Sequence, residues 1–188
     1  MEISLFNLFF AVFNRFQPNQ GLSLDKVGGV AIEQVKNFYL HPGFIFVSQD
    51  PHFIHTVLGS CVSVCLWDSV NRFGGMNHYI YNTCNNEERN GRYGEVSLPH
   101  MLQLMLDMGS KKTNLRAHLI GGARNVQLNS LVGDGNVELA EIWLKKNRIQ
   151  VVTKDVGGEH GRKVVFHNQS GEVYIYRVEQ IRNNDWFR

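Results

Sequence analysis

The sequence predicts an α+β domain in which several antiparallel hairpins and two main helices stack as layers. Three observations point there. Short runs rich in β-branched and aromatic residues recur between clusters of turn residues, mostly in hairpin order. Two longer stretches repeat apolar residues at helical spacing. A length of 188 residues with 43% hydrophobic content suffices for one domain with a substantial core.

Taken in order, Met1 to Gln17 is Phe-rich, with Leu5, Phe6, Phe9, Phe13 and Phe16 on its apolar face, and predicts an amphipathic helix docked on its own domain. Its acidic start and lack of a cleavage site argue against a signal peptide. It is too short and interrupted to span a bilayer. Residues 18–29 hold Pro, Asn, Gly and Ser and read as a linker, which leaves 30–188 as the domain proper. Phe44–Val47 and Phe53–Leu58 are predicted strands. Val62–Trp67 and Phe73–Tyr81 follow as a hairpin around the turn residues Asp68-Ser69-Val70-Asn71. Asn82 to Arg92 is almost without apolar residues and predicts an exposed loop.

Ser97 is then a suitable N-cap with Pro99 in the first turn, and Leu98, Met101, Leu102, Met105 and Leu106 repeat at helical spacing until Gly109. Leu115–Ile120 is a strand. Asn136 is expected to cap a second helix whose inward positions are Val137, Ala140, Trp143 and Leu144. Gln150–Thr153 is a strand, and residues 163–166 and 172–176 form a closing hairpin. There is no internal repeat, and Gly157-Gly158 lacks the spacing and ending of a phosphate loop.

The net charge of +2 and the absence of a dense Lys/Arg run give nucleic-acid binding little support. Three cysteines are too few for a disulfide framework and suit reduced thiols in a cytoplasm. One of them stands out. In Thr56-Val57-Leu58-Gly59-Ser60-Cys61 a thiol follows a Gly-Ser pair, and His78 comes 17 residues later in Gly74-Gly75-Met76-Asn77-His78. A hairpin centred between Ser69 and Val70 pairs residues whose numbers sum to 139, as Cys61 and His78 do. Directly opposed residues have Cβ atoms about 4.5–5.5 Å apart. That expectation is a thiolate–imidazolium pair, the form that makes cysteine a nucleophile at neutral pH. Cys65 lies about 13 Å further along the strand and is expected to pack. The same separation argues against a zinc site formed with Cys84.

These motifs resemble the CheD family of chemoreceptor glutamine deamidases. The resemblance runs from Tyr39-Leu40-His41-Pro42-Gly43 through the Cys61 and His78 runs to Arg92-Tyr93-Gly94-Glu95 and Ile120-Gly121-Gly122-Ala123. It continues in Gly133 to Asn136 and in Asp155-Val156-Gly157-Gly158 with Gly161-Arg162-Lys163-Val164. It implies a cytoplasmic protein-glutamine deamidase acting through a cysteine thioester, with no cofactor or metal. Cys61 would be the nucleophile, His78 the acid and base, and Thr56 the third member, with His55 as the competing position. Gly59, Ser60, Asn77 and Arg162 are expected to face substrate; for Arg162 the other reading is a turn residue bonded to nearby carbonyls. The implied partners are the cytoplasmic helices of chemoreceptors and a CheC-type phosphatase. A binding module without catalysis is the alternative function.

Overall fold

The computed structural model describes residues 35–84, 89–124 and 131–178. The expected helix in Met1 to Gln17 and the linker after it lie outside the described residues. The strands are β1 (Lys36–Tyr39), β2 (Ile45–Ser48), β3 (His52–Leu58), β4 (Val62–Asp68), β5 (Phe73–Asn77), β6 (Leu115–Gly121), β7 (Gln150–Val156), β8 (Gly161–His167) and β9 (Val173–Val178). The helices are α1 (Gly94–Asp107) and α2 (Val132–Lys146). The predicted α+β layering is what forms.

Five strands make a central sheet in the order β2-β5-β4-β6-β7, and four make a second sheet in the order β1-β3-β8-β9. Alternation along β4 and β6 decides which layer each side chain meets. Val62, Val64, Leu66, Leu115, Ala117 and Leu119 pack toward α1 and α2. Cys65, Met76 and Ile120 point the other way, onto Ile54, Leu58, Val164 and Phe166 of the second sheet. The molecule is thus three layers: helices, central sheet, second sheet. Because β4 is covered on both faces, it reads as an almost unbroken apolar run.

Several details differ from the sequence expectation. In the β4–β5 hairpin Cys65 pairs with Met76 and Asp68 with Phe73, so paired numbers sum to 141, not 139. The turn begins one residue later than assumed. Asp68 accepts the amides of Val70 and Asn71 through its carboxylate and that of Arg72 through its carbonyl, and Arg72 takes a positive φ of 56°. The turn centre therefore moves one residue on. Both helices also begin before their predicted caps. The first amides of α1 are taken by the carbonyls of Tyr81 and Asn82, which makes a capping side chain unnecessary. Gly133 and Gly135, which read as loop residues, lie inside α2, where Gly133 lets the helix approach the carbonyls of Gly122 and Ala123. Two strand pairs are parallel: β1 with β3, and β6 with β7 across α2. β1 has no distinct sequence signal and was not anticipated.

Phe166 is fully buried between the sheets, whereas Tyr176 on the outer face of the second sheet is 56% exposed. Phe166→Ala should cost about 3–5 kcal/mol, and Tyr176→Ala under about 1 kcal/mol. Urea denaturation of the two variants checks this; equal losses would mean that the second sheet is not packed through Phe166.

Candidate active site

Cys61 sits in a turn between β3 and β4 whose carbonyls are all drawn inward. The amide of Ala123 donates to the Gly59 carbonyl at 2.9 Å and that of Gly122 to the Cys61 carbonyl at 2.8 Å. The side chain of Asn136 donates to the Ser60 carbonyl at 3.0 Å. Gly121 makes this approach feasible: it has φ +113°, and a Cβ there would collide with the Cys61 carbonyl oxygen. Cys61 remains partly accessible, as does Ser60.

His78 follows β5 directly. Its backbone joins β2's end, donating to Phe44 and accepting from Gly43. Val62 and Tyr79 exchange both backbone bonds and point to the helix layer. Their predecessors Cys61 and His78 therefore point to the second sheet. In the observed register His78 is level with Ser63, and Cys61 is its diagonal neighbour. The corresponding Cβ separation is about 7–8 Å, so the two side chains are diagonal neighbours and not directly opposed. The two-residue shift keeps both side chains on one face.

From the second sheet, Thr56 reaches this imidazole. Its Oγ1 lies 2.7 Å from His78 Nδ1 and 2.8 Å from the carbonyl oxygen of Leu40. A carbonyl only accepts, so the single hydroxyl proton goes to Leu40. Thr56 then accepts from Nδ1–H, which leaves the lone pair on Nε2. A threonine in this place selects the tautomer in which the far ring nitrogen is the base.

The remaining sequence-predicted residues separate. His55 is on the opposite face of β3, stacked on Tyr39 with ring centroids 4.9 Å apart and bonded to Asn37 at 2.9 Å. It is turned away from His78, and Thr56 is the residue in contact. Asn77 is not brought to the thiol. It is fully buried toward α1, accepting from the Val64 amide at 2.8 Å and donating to Ser97 Oγ at 3.0 Å. Neighbours along a strand point to opposite faces, so the residue before His78 cannot share its side. Arg162 is also structural. It is 3% exposed, ion-paired to Asp155 at 2.9 Å and bonded to the His160 carbonyl, joining β7 of the central sheet to β8 of the second. Its register partner is Leu58, so it braces the strand that leads into Gly59. Cys65 is fully buried in the intersheet core, and Cys84 bonds to Glu95 away from the site. Among the described residues no cluster of His, Cys, Asp or Glu is arranged to hold a metal ion. None of their helices is long and apolar enough to cross a membrane. Sequence reasoning missed the roles of the Leu40 carbonyl and of Asn136. Each acts across more than 15 residues of chain, where no local pattern reports it.

Residues 81–177 match the family model described as CheD chemotactic sensory transduction. The chain is 41% identical over 143 residues to the probable chemoreceptor glutamine deamidase CheD 1 of Anaeromyxobacter dehalogenans, covering 74% of this chain and 84% of that protein. It is 37% identical over 147 residues to the probable chemoreceptor glutamine deamidase CheD of Sulfurimonas denitrificans, covering 76% and 94%. It is likewise 37% identical over 150 residues to that of Trichlorobacter lovleyi, covering 78% and 93%. The chain belongs to the CheD family. The stretch matched by the family model begins downstream of His78 and does not include Thr56, Cys61 or His78.

The electrostatics correct the expected ion pair. Burial pushes the Cys61 thiol up to about 11, moderated by its own backbone amide. Burial, with the neighbouring His41 adding to it, pulls His78 down to about 3. Removing both groups from water disfavours both charged forms. Both shifts favour the neutral forms, thiol and imidazole, and run against the expected ion pair.

Two outcomes follow for this CheD domain. Alkylation of Cys61 by iodoacetamide, in a Cys84→Ser background, should rise with pH with a midpoint well above that of an exposed thiol. A midpoint near neutrality would restore the ion pair. The second concerns stability. Above about pH 6.5 folded and unfolded imidazoles are both neutral. Below it the unfolded chain takes up a proton that folded His78 refuses until about pH 3. Stability must then fall with falling pH across that window, by up to about 1.4 kcal/mol per unit. His55 and His118 are lowered by burial and add in the same direction. Thermal melts between pH 7 and 4 should show His78→Gln with a shallower decline than the parent; parallel curves would refute the neutral buried imidazole.

Proposed function

We propose that this protein is a protein-glutamine deamidase that converts glutamines of chemoreceptor cytoplasmic helices to glutamate in the cytoplasm, with Cys61, His78 and Thr56 as its working residues. The observation that carries this reading is the Thr56–His78 hydrogen bond. It presents Nε2 as a base on the face of the central sheet that also carries the half-buried Cys61. The names of the relatives supply the substrate class.

As Cys61 Sγ attacks the side-chain carbonyl carbon, its proton passes to His78 Nε2. A neutral resting pair couples these two events. The tetrahedral oxyanion is met by backbone amides of the Gly59–Cys61 turn, whose carbonyls are all turned inward. The carbon–nitrogen bond then breaks as Nε2–H protonates the departing nitrogen, releasing ammonia and leaving a thioester. Water attacks the thioester, His78 takes its proton, and the carbon–sulfur bond breaks to give glutamate and the free thiol. Thr56 holds the ring and its tautomer throughout. A CheC-type phosphatase is a further partner under this reading, recognised by association of the two purified proteins.

Intact-mass measurement of a chemoreceptor cytoplasmic fragment, incubated with protein variants, provides the test. Cys61→Ala should fold and give no turnover. His78→Ala should lose most activity, by about two to four orders of magnitude. Thr56→Ala should lose less, and Thr56→Ser should recover most of that loss. Turnover by folded Cys61→Ala would leave a binding role as the better account.

A further inference from the structure

The sequence reads Asn136 as a helix cap. The structure places it inside α2, fully buried, and gives its side chain another task. Its Nδ2 donates to the Ser60 carbonyl at 3.0 Å and to the Ile80 carbonyl at 2.8 Å. Ser60 precedes the nucleophile, and Ile80 is the second residue after His78. One amide group therefore bridges the two chain segments that carry the thiol and the imidazole. The orientation is fixed by chemistry: both partners are carbonyls, and a flipped amide would set oxygen against oxygen twice.

The clamp matters because the backbone ladder is interrupted here. Between the Cys65–Met76 and Val62–Tyr79 pairs, side chains replace main-chain partners. Asn77 Oδ1 accepts the Val64 amide, and Ser63 Oγ donates to the Asn77 carbonyl. The spacing of Cys61 and His78 is thus not imposed by a continuous ladder. Asn136 closes the hairpin beyond its last backbone pair. It is itself held from the β5 side, where the Tyr79 hydroxyl donates to the Asn136 carbonyl at 2.6 Å. The packing of Gly133 on Gly122 and Ala123 holds its helix against the loop that grips Gly59 and Cys61.

We infer that Asn136 is a positioning residue for the reaction: it sets the distance between Cys61 and His78 by clamping the Ser60 and Ile80 carbonyls with one amide. This rests on the deamidase reading for its kinetic consequence, but the clamp is measurable without it. An error of about 1 Å in such a spacing can cost about a hundredfold in rate.

The test compares Asn136→Leu, which removes both donors at similar volume, with Asn136→Asp, which offers at most one. Using a chemoreceptor cytoplasmic fragment as substrate, folded variants should lose about tenfold to a hundredfold in kcat with KM within about threefold of the parent. In the Cys84→Ser background the released turn should let Cys61 enter solvent, so its iodoacetamide midpoint should fall toward that of an exposed thiol. Folded variants with parental kcat and a parental alkylation profile would overturn the inference. If the parent itself deamidates no fragment, the functional reading fails, and the alkylation arm alone decides the clamp. Should neither variant fold, the unsubstituted protein carries the measurement. The Asn136 side-chain amide protons should be protected from solvent exchange and should shift in NMR spectra when Cys61 is alkylated. Fast exchange with no shift would overturn the inference as well.

Discussion

A wholly buried imidazole has to be given a hydrogen-bonding partner by the fold, and at His78 that partner is a threonine from the other sheet. An unsatisfied polar group there would cost roughly 1–3 kcal/mol. Thr56 removes that cost, but only because its own proton has somewhere to go. The Leu40 carbonyl takes it at 2.8 Å. Three separate stretches of chain thus meet at one hydroxyl: the segment after β1, strand β3, and the residue following β5. The second sheet must lie against the central one for this contact to exist. The intersheet core of Ile54, Leu58, Val164 and Phe166 against Cys65, Met76 and Ile120 is what holds it there. Catalytic geometry and hydrophobic packing are here the same constraint, since loosening the seam would separate Thr56 from His78.

The layers divide the labour. The helical face of the central sheet is filled by Leu, Met and Ala packing, and the residues there that carry polar groups, Asn77, Tyr79 and Asn136, are bonded inside the protein. Along the strands the next residue in each case points to the other face. Alternation therefore interleaves groups bonded or packed toward the helices with the residues of the proposed site: Asn77 alternates with His78, and Val62 with Cys61. The price of this economy is the broken ladder between Ser63 and Asn77, where a side-chain bond stands in for a backbone one.

Much of this was legible in the sequence. The Cys61 and His78 strands, the turn after Trp67, the inward faces of both helices and the closing hairpin follow from local pattern. Register did not, because it depends on how Asp68 uses its carboxylate and carbonyl to bond Val70, Asn71 and Arg72, which makes the turn one residue later than composition alone suggests. Parity survived the error, and with it the facing of the site. Thr56 and His55 were not separable in one dimension; in three only Thr56 bonds His78, since adjacent residues on β3 look to opposite sides. Asn77, expected to face substrate, is buried with its polar atoms engaged, whereas Arg162 makes the bond to a nearby carbonyl that was the other reading of its loop. β1 lacked any signal because a four-residue parallel edge strand draws its stability from its neighbour β3.

The charge state of the site has a similar origin. The sequence suggests a thiolate beside an imidazolium, the arrangement of an exposed and permanently reactive cysteine. Burial in the seam between two sheets instead keeps both groups neutral at rest. In the proposed reaction that favours the step at which amide hydrolysis is hardest. An imidazole whose protonated form is strongly disfavoured becomes, once it has taken the thiol proton, a strong acid next to the leaving nitrogen, and ammonia departs only when that nitrogen is protonated. The cost falls on the attack step, where proton transfer must accompany carbon–sulfur bond formation. In that reaction a carbonyl held at the Gly59–Cys61 turn would offset it, with backbone amides there receiving the developing oxyanion. A thiol that is neutral until such a carbonyl arrives is also a poor target for oxidants and stray electrophiles, which react with thiolate. The same desolvation that makes the pair hard to ionise therefore confines its reactivity to a bound amide.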